Sequence, residues 1–315
     1  MVNINYDKKF FMRDRFGNYL LQKGKDNNKI AVVNADLMGT SRNREFCEAY
    51  PERAFNVGIA EQNMISFAAG LAHEGFIPFT FSMAPFLSMR ACEQCRTDVA
   101  YGNLNVRLVA SYSGCSGGIS GVTHWGMEDC AIMNSFPNMS ILEPCDPVQL
   151  DRMIDVSLMH RGPIYFRISV EPMIQVYEPT YSYEMGKASI VKEGNDAAII
   201  ASGITVKYAY MAAEKLEKKL GIKVRVIDMH TIKPVDREAV VAAAKTGIVV
   251  VAQDHNRVGG LGFICASVIA EEGISVKFAN LGMKDEFVSM AHAPYLYHKY
   301  GYDAEGIEKA IIGML

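Results

Sequence analysis

The order of apolar and amphipathic segments constrains the fold of this chain more than any other feature. Strands that alternate with helices along a sequence are typical of α/β domains with mostly parallel sheets. Segments of helical length separate short apolar runs of strand length in both halves of the sequence, among them IAVVNA (30–35), FIPFTF (76–81), AAIIAS (197–202) and GIVVVAQ (247–253). The sequence therefore predicts an α/β fold with mostly parallel sheets.

Two further segments set the expected domain organisation. Residues 7–24 carry an apolar stripe that predicts a first helix. Residues 171–186 contain two prolines and little periodicity, which predicts a linker. We therefore expect two α/β domains, over residues 1–185 and 186–315.

Composition narrows the class of protein. The net charge of −3 has no strong sign, so neither nucleic acid nor an anionic membrane is an expected partner. The first residues lack the apolar core of a signal peptide, and no run approaches the roughly 18 apolar residues of a membrane span. Seven cysteines without a metal-type pattern predict free thiols. We expect a cytoplasmic protein without a metal site of its own.

The stretch 55–75, FNVGIAEQNMISFAAGLAHEG, predicts a turn followed by a buried helix. Its helical part is apolar on nearly every side, and Gly75 supplies a left-handed residue at its end. Glu61 falls in the first turn of this helix. On its own, this carboxylate is either a local stabiliser of the helix terminus or a functional group held at the end of a buried helix.

Two other places combine polar side chains with special backbone. Asp36 follows the apolar run 30–35, where α/β proteins bind ligands, although a turn-forming Asp fits equally. Residues 112–129 contain five glycines and lead to His124. Such a loop indicates a close approach of backbone to another group, and the alternative is a flexible surface loop.

Several of these segments resemble one known enzyme family. The stretch around Glu61, together with FTFSMAPFLSMRACEQCRTDVAY and GVTHWGMEDCAIMNSFPNMSILEPCDP, resembles the pyrimidine-binding domain of transketolases. The segments GIKVRVIDMHTIKPVD and DHNRVGGLG resemble the transketolase C-terminal domain. The resemblance covers nearly the whole chain from about residue 30.

The resemblance implies a subunit that needs a partner. Transketolases hold the diphosphate of thiamine diphosphate through Mg²⁺ with a GDG motif and a following Asn, and this sequence contains no GDG. It therefore resembles the C-terminal subunit of a split transketolase, whose N-terminal partner subunit holds Mg²⁺ and the diphosphate. We expect an α2β2 heterotetramer that transfers a two-carbon ketol unit between sugar phosphates, as in pentose phosphate metabolism.

The resemblance also assigns the cofactor side of the site. Glu61 matches the acid that hydrogen-bonds N1′ of the aminopyrimidine and shares a proton with it in a dry site. Phe86, with Phe81 or Met83, matches the aromatic wall that stacks on the pyrimidine. Asp36 matches an acid near the cofactor at the subunit junction.

The substrate side departs from the family pattern. His124 matches a loop histidine near the reacting carbonyl, and Arg167 matches an arginine that pairs with a substrate phosphate. Ser120 stands where well-characterised transketolases have Asp, and Tyr112 stands where they have a further His. The resemblance therefore defines the thiamine chemistry better than the identity of the sugar substrate.

Three alternatives remain open at this level. A β subunit of a 2-oxo acid dehydrogenase shares length, domain order and the cofactor-contacting acid, and a synthase of the deoxyxylulose-phosphate type is a further enzyme alternative. A catalytically silent α/β scaffold is the non-enzyme alternative. A nucleotide site at Asp254, His255 and the 259–262 GGLG is disfavoured because the spacing is not GxGxxG.

Overall fold

A computed structural model describes residues 2–315 of the chain. Its strands are β1 (Val2–Phe10), β2 (Ile30–Asn34), β3 (Ala54–Asn56), β4 (Ile77–Met83), β5 (Arg107–Ser111), β6 (Ser140–Leu142), β7 (Ile164–Ile168), β8 (Met173–Tyr177), β9 (Ser189–Lys192), β10 (Ala197–Ala201), β11 (Val224–Asp228), β12 (Thr231–Lys233), β13 (Ile248–Asn256) and β14 (Lys277–Met283). Its α-helices are α1 (Met12–Asp26), α2 (Met38–Ser41), α3 (Arg44–Ala49), α4 (Glu61–His73), α5 (Cys92–Gln94), α6 (Asp129–Asn134), α7 (Pro147–Met159), α8 (Thr205–Leu220), α9 (Arg237–Ala244), α10 (Leu261–Glu271), α11 (Ala293–Tyr300) and α12 (Ala304–Ile312).

The larger sheet has seven strands in the order β12-β6-β7-β5-β4-β2-β3. Six of them run parallel, and β12 adds an antiparallel edge. Strands β2, β5 and β7 are buried along their whole length, which explains their continuous apolar runs. Since β12 follows residue 186 in the chain, the second half contributes a strand to the sheet of the first half.

The second sheet has the order β14-β13-β10-β11-β9, with only the β9 pairing antiparallel. The predicted α/β fold with mostly parallel sheets is confirmed. The division between residues 185 and 186 stays a prediction. No helix within residues 2–315 is both long and apolar enough to cross a membrane.

The N-terminal prediction was wrong in part. Residues 2–10 form β1, and the first helix begins only at Met12. Strand β1 pairs antiparallel with β8, which lies inside the segment predicted as a linker. The aromatic residues Tyr177, Tyr181 and Tyr183 of that segment are buried. The segment is therefore packed against the core despite its prolines.

The helix that carries Glu61 agrees with its prediction. Helix α4 spans Glu61–His73, and Gly75 has a φ of 83° just after its end. The helical segment that follows β4 is irregular. It contains π-helical turns at Phe86–Arg90 and Cys95–Ala100 on either side of α5. Such π-turns are frequent at functional sites.

Candidate active site

The candidate site lies where strands of the larger sheet end. Strand β4 ends at Met83, Asp36 follows β2, and Tyr112 follows β5. Since β2, β4 and β5 are neighbours in one parallel sheet, their carboxyl ends lie at the same edge. The N-terminus of α4 also lies at this edge, where the Glu61 carboxyl accepts a hydrogen bond from Ser82 of β4.

Glu61 is 1% exposed and holds two polar partners. Ser82 Oγ donates to Glu61 Oε1 at 3.2 Å, and Arg90 Nη1 donates to Glu61 Oε2 at 2.7 Å. Among residues 2–315 the hydrogen-bond partners of the carboxyl are Ser82 and Arg90 and no backbone amide of α4, so it is not a local cap. A buried carboxylate at the carboxyl edge of a parallel sheet, paired with a cation from another segment, is a candidate functional group.

Arg90, Phe86 and His124 form a series of contacts that leads from Glu61 to the glycine-rich loop. The guanidinium carbon of Arg90 lies 4.3 Å from the centre of the Phe86 ring. The Phe86 ring lies 5.6 Å from the His124 ring, with an interplanar angle of 67°. Thr123 Oγ1 lies 2.9 Å from His124 Nδ1. The structure thus brings Glu61, Phe86 and His124 into one chain of contacts through Arg90.

The two alternatives for the second aromatic position differ in their surroundings. Phe81 is buried and packs edge-on against Phe16 of α1, with ring centres 5.6 Å apart. Its neighbour Ser82 points to Glu61 instead, as strand alternation requires. Phe81 therefore belongs to the core behind the strand and not to the wall of the site. Met83 ends β4 and is 8% exposed.

The second half of the chain holds the loop that carries His124. The backbone amide of Cys115 donates to Asp254 Oδ1 at 3.1 Å. Tyr297 and Tyr302 donate their hydroxyls to the same carboxylate at 3.0 and 3.2 Å. Burial raises the pKa of Asp254 to about 6, although the hydrogen bonds from Cys115 and Tyr297 oppose the shift. Asp254 is thus a structural anchor of the loop.

The neck of the same loop is closed by its own backbone. Gly114 N donates to Gly126 O at 2.8 Å, and Gly126 N donates to Gly114 O at 3.0 Å. Trp125 Nε1 donates to Gly118 O at 3.0 Å inside the loop. These bonds contradict the alternative of a flexible surface loop.

The predicted substrate residues Tyr112 and Ser120 lie on this loop. Ser120 is exposed. Tyr112 is half-buried, has a φ of 62°, and its ring lies 5.4 Å from the Arg13 guanidinium carbon. Arg13 Nη1 also donates to Thr40 O at 2.8 Å, at the end of α2. Arg13 was not singled out from the sequence, because a single arginine in a first helix carries no signal of its own.

Asp36 is exposed at the end of β2 and has a φ of 58°. Its amide donates to Asn56 Oδ1 at 3.0 Å, and Asn56 Nδ2 donates to Asp36 Oδ1 at 3.2 Å. Asn56 precedes the turn into α4. The Asp36 carboxylate therefore stands beside the turn that leads to Glu61, accessible to a second molecule.

The role predicted for Arg167 is corrected by its position. Its side chain is fully buried and forms ion pairs with Asp129 and Glu143. It also donates to Gly126 O and Asp254 O at 3.2 and 3.1 Å. A guanidinium with this many buried partners has no free edge for a substrate phosphate. Arg167 instead ties the loop neck to the second half of the chain.

The arrangement fits an aminopyrimidine. The site offers a buried carboxyl, an aromatic ring linked to it through Arg90, and an imidazole in edge contact with that ring. Groups of these three kinds can bind a planar heterocycle by stacking and can exchange a proton with its ring nitrogen. Within residues 2–315, no group of three His, Cys, Asp or Glu side chains is placed to hold a metal ion.

Two family models match the chain. The model described as transketolase, pyrimidine binding domain, matches residues 8–173. The model described as transketolase, C-terminal domain, matches residues 186–307.

Several known proteins are similar to this chain over nearly their whole length. The 6-deoxy-6-sulfo-D-fructose transketolase subunit SqwH of Clostridium sp. (strain MSTE9) is 40% identical over 301 residues, which cover 95% of this chain and 93% of that protein. An apulose-4-phosphate transketolase subunit of Phocaeicola vulgatus is 35% identical over 302 residues, 95% of this chain and 96% of that protein. A solved structure described as "Split gene transketolase, inactive beta4 tetramer" has a TM-score of 0.87 and 36% identity, and covers 98% of this chain and 99% of its own.

Proposed function

The chain belongs to the transketolase family, and we propose that it is the C-terminal subunit of a split transketolase. In this proposal it transfers a two-carbon ketol unit from a ketose to an aldose, with thiamine diphosphate as cofactor. The observation that carries the proposal is the buried Glu61 carboxyl, which contacts Arg90 and lies in one chain of contacts with Phe86 and His124.

Each of the site residues has a defined task. Thiamine diphosphate, when bound, supplies the nucleophilic carbon that carries the ketol unit. Glu61 holds a proton at a carboxyl oxygen towards the ring nitrogen of the aminopyrimidine, and burial keeps water away from this proton. Phe86 stacks on the pyrimidine. His124 donates or accepts a hydrogen bond at the substrate, while Thr123 orients its ring.

A partner subunit completes the site in this proposal. The sequence contains no GDG, and two relatives that match along almost their whole length are named as transketolase subunits. The N-terminal partner holds Mg²⁺ and the diphosphate. The similar solved split-gene transketolase is described as an inactive β4 tetramer. We therefore expect this chain to associate with itself, and to be inactive until the partner joins an α2β2 assembly.

The substrates that we propose are sugars with an anionic end. One relative is named for a sulfo-sugar and another for a sugar phosphate. Because Arg167 is buried, Arg13 is the cation that we assign to this group, beside Tyr112. Tyr112 and Ser120 then contact sugar hydroxyls, with donor and acceptor patterns that differ from those of His and Asp.

Reconstitution tests the proposal. The chain is mixed with the GDG-containing subunit that co-purifies with it, Mg²⁺ and thiamine diphosphate, and ketol transfer between sugar phosphates is followed. We expect turnover from the pair and none from either subunit alone. Release of CO₂ from pyruvate supports a 2-oxo acid dehydrogenase or a synthase instead. Failure of the pair to bind thiamine diphosphate supports the scaffold alternative.

A further inference from the structure

Arg90 contacts both residues that we assign to the aminopyrimidine. Its Nη1 donates to Glu61 Oε2 at 2.7 Å, and its guanidinium carbon lies 4.3 Å from the centre of the Phe86 ring. A guanidinium is planar, stacks on aromatic rings and donates to carboxylates in its own plane. Arg90 thus makes the same pair of contacts that the proposed function assigns to the pyrimidine ring.

We propose that Arg90 occupies the aminopyrimidine position in the free chain, and that its side chain must leave this position before the cofactor binds. The inference rests on the proposed function, since it assumes that Glu61 and Phe86 contact the pyrimidine. It adds an internal competitor, supplied by the chain itself, which keeps the isolated subunit from binding the cofactor through its pyrimidine end.

The contact blocks the atom that the chemistry needs. Ser82 holds Glu61 Oε1, and Arg90 holds Oε2. A proton exchanged with a ring nitrogen requires one of these oxygens within hydrogen-bond distance of the ring. When Arg90 withdraws, the lone pair of Oε2 that it occupies becomes available to the ring nitrogen. The face of Phe86 that Arg90 covers becomes available in the same movement.

The contact also suits the free chain. A buried carboxylate without a partner is unfavourable, and Arg90 compensates the charge of Glu61 in the absence of a ligand. The aminopyrimidine replaces that compensation when it shares a proton with the carboxyl. Glu61 therefore keeps a polar partner in both states.

The Arg90 side chain has room to move. It is 46% exposed, whereas the Glu61 side chain is 1% exposed. Among residues 2–315, Glu61 is the one hydrogen-bond partner of its guanidinium. Arg90 ends the π-helical turn Phe86–Arg90, which Ala91 N closes by donating to Phe86 O at 3.1 Å. Half-exposed ion pairs are weak, so displacement by a ligand is accessible.

A binding experiment on the full chain alone tests the inference. The probe is thiamine, which carries the aminopyrimidine but lacks the diphosphate held by the partner. Isothermal titration compares wild type with Arg90→Met and Arg90→Lys. The control is Arg96→Met, an exposed arginine on the same irregular helix, which lines a separate cavity with Tyr101 and Pro137.

Removal of the internal competitor raises the fraction of chains that are ready to bind. We expect Arg90→Met to bind thiamine about tenfold more tightly than wild type, because the apparent dissociation constant scales inversely with that fraction. Arg90→Lys keeps the charge without the planar stack and falls between the two. Arg96→Met binds like wild type. A variant damaged in its fold does not gain affinity, so a gain reports the competitor.

Two results overturn the inference. The first is equal or weaker thiamine binding by Arg90→Met. In that case the proposed function still stands if the wild-type complex with the partner subunit binds thiamine diphosphate. A wild-type complex that does not bind thiamine diphosphate overturns the proposed function and the inference together.

Discussion

The carboxylate of Asp254 accepts a hydrogen bond from the backbone amide of Cys115 at 3.1 Å, across 139 positions of the chain. Asp254 lies in the buried part of β13 in the second half, and Cys115 lies in the glycine-rich loop of the first half. The position of His124 therefore depends on a residue far from it in sequence. This contact makes the C-terminal half a structural determinant of the site.

Substitution at Gly114 tests this contact. Gly114 has a φ of 60°, and a Cβ placed there would lie 2.1 Å from Asp254 Cγ. We expect Gly114→Ala to lower the free energy of unfolding by about 2–4 kcal/mol, through backbone strain and displaced buried hydrogen bonds. Ketol transfer by the reconstituted pair should fall as well. Urea unfolding and activity assays measure the two effects.

Gly221→Ala is the matched control for that substitution. Gly221 also has a positive φ, of 72°, but no atom lies within 4 Å of an added Cβ. It should lose only about 1 kcal/mol from backbone strain and retain activity. Equal losses at the two positions would mean that the Asp254 contact does not hold the loop.

The buried acid Asp228 predicts a specific pH dependence. Burial raises the pKa of Asp228 to about 7, although Tyr177, Gln149 and Cys145 donate hydrogen bonds to it. Between about pH 4 and 7 the folded state keeps a proton on Asp228 that the unfolded state releases. The contribution of Asp228 therefore lowers the free energy of unfolding as pH rises through this window, by up to about 1.4 kcal/mol per pH unit.

Buried histidines act in the opposite direction. Burial lowers the pKa of His230 to about 3 and that of His255 to about 4, so their contribution to stability increases as pH rises to about 6.5. The test therefore compares Asp228→Asn with wild type by urea unfolding from pH 4.5 to 7.5. The stability of the variant relative to wild type should rise with pH. A constant difference across the range would show that Asp228 does not titrate there.

Arg167 and Arg13 are expected to act on different properties. Arg167→Met leaves Asp129 and Glu143 buried without their cation, and should cost about 3–5 kcal/mol of stability. Arg13→Met should leave stability largely intact and lower the preference for a phosphorylated over an unphosphorylated acceptor by about tenfold. Ratios of kcat/KM for the two acceptors measure this preference. A loss of preference in the folded Arg167 variant would restore the phosphate-binding role to that residue.

The aromatic residues Phe86 and Phe81 form another matched pair. Phe86→Leu should weaken thiamine diphosphate binding by the complex about fivefold, because stacking on an aromatic ring contributes about 1 kcal/mol. Phe81→Leu should lower stability by a similar amount through lost contacts with Phe16, and leave cofactor affinity unchanged. Titration of the cofactor and thermal unfolding separate the two. The reverse pattern would move the aromatic wall to Phe81.

Local patterns predicted much of this fold. Helix α4 and strands β2 and β10 lie where the sequence predicts them, because apolar runs and a terminal glycine are local signals. Strand β1 and its partner β8 were missed. Their pairing joins the N-terminus to residues 173–177, and prolines nearby suggested a linker. A pairing across so many residues leaves no mark in either segment alone.

Only part of the site was predicted, because some of its contacts form only in the folded chain. Glu61, Phe86 and His124 were identified by family resemblance and prove to be in one chain of contacts. Arg90 was missed because a charged residue four positions after Phe86 looks like an ordinary surface charge on a helix. Arg167 was misassigned because its burial depends on Asp129 and Glu143, which approach it only in the folded chain.

The most direct test of the central claim is ketol transfer by Glu61→Gln reconstituted with the partner subunit, Mg²⁺ and thiamine diphosphate. Gln retains the size of Glu and an oxygen for Ser82, but it cannot exchange the proton. We predict a loss of turnover of about 10²–10⁴-fold, with assembly unchanged by size-exclusion chromatography. Turnover within about twofold of wild type would be a far smaller loss than a missing proton donor causes. It would contradict the role of Glu61 and the proposed function.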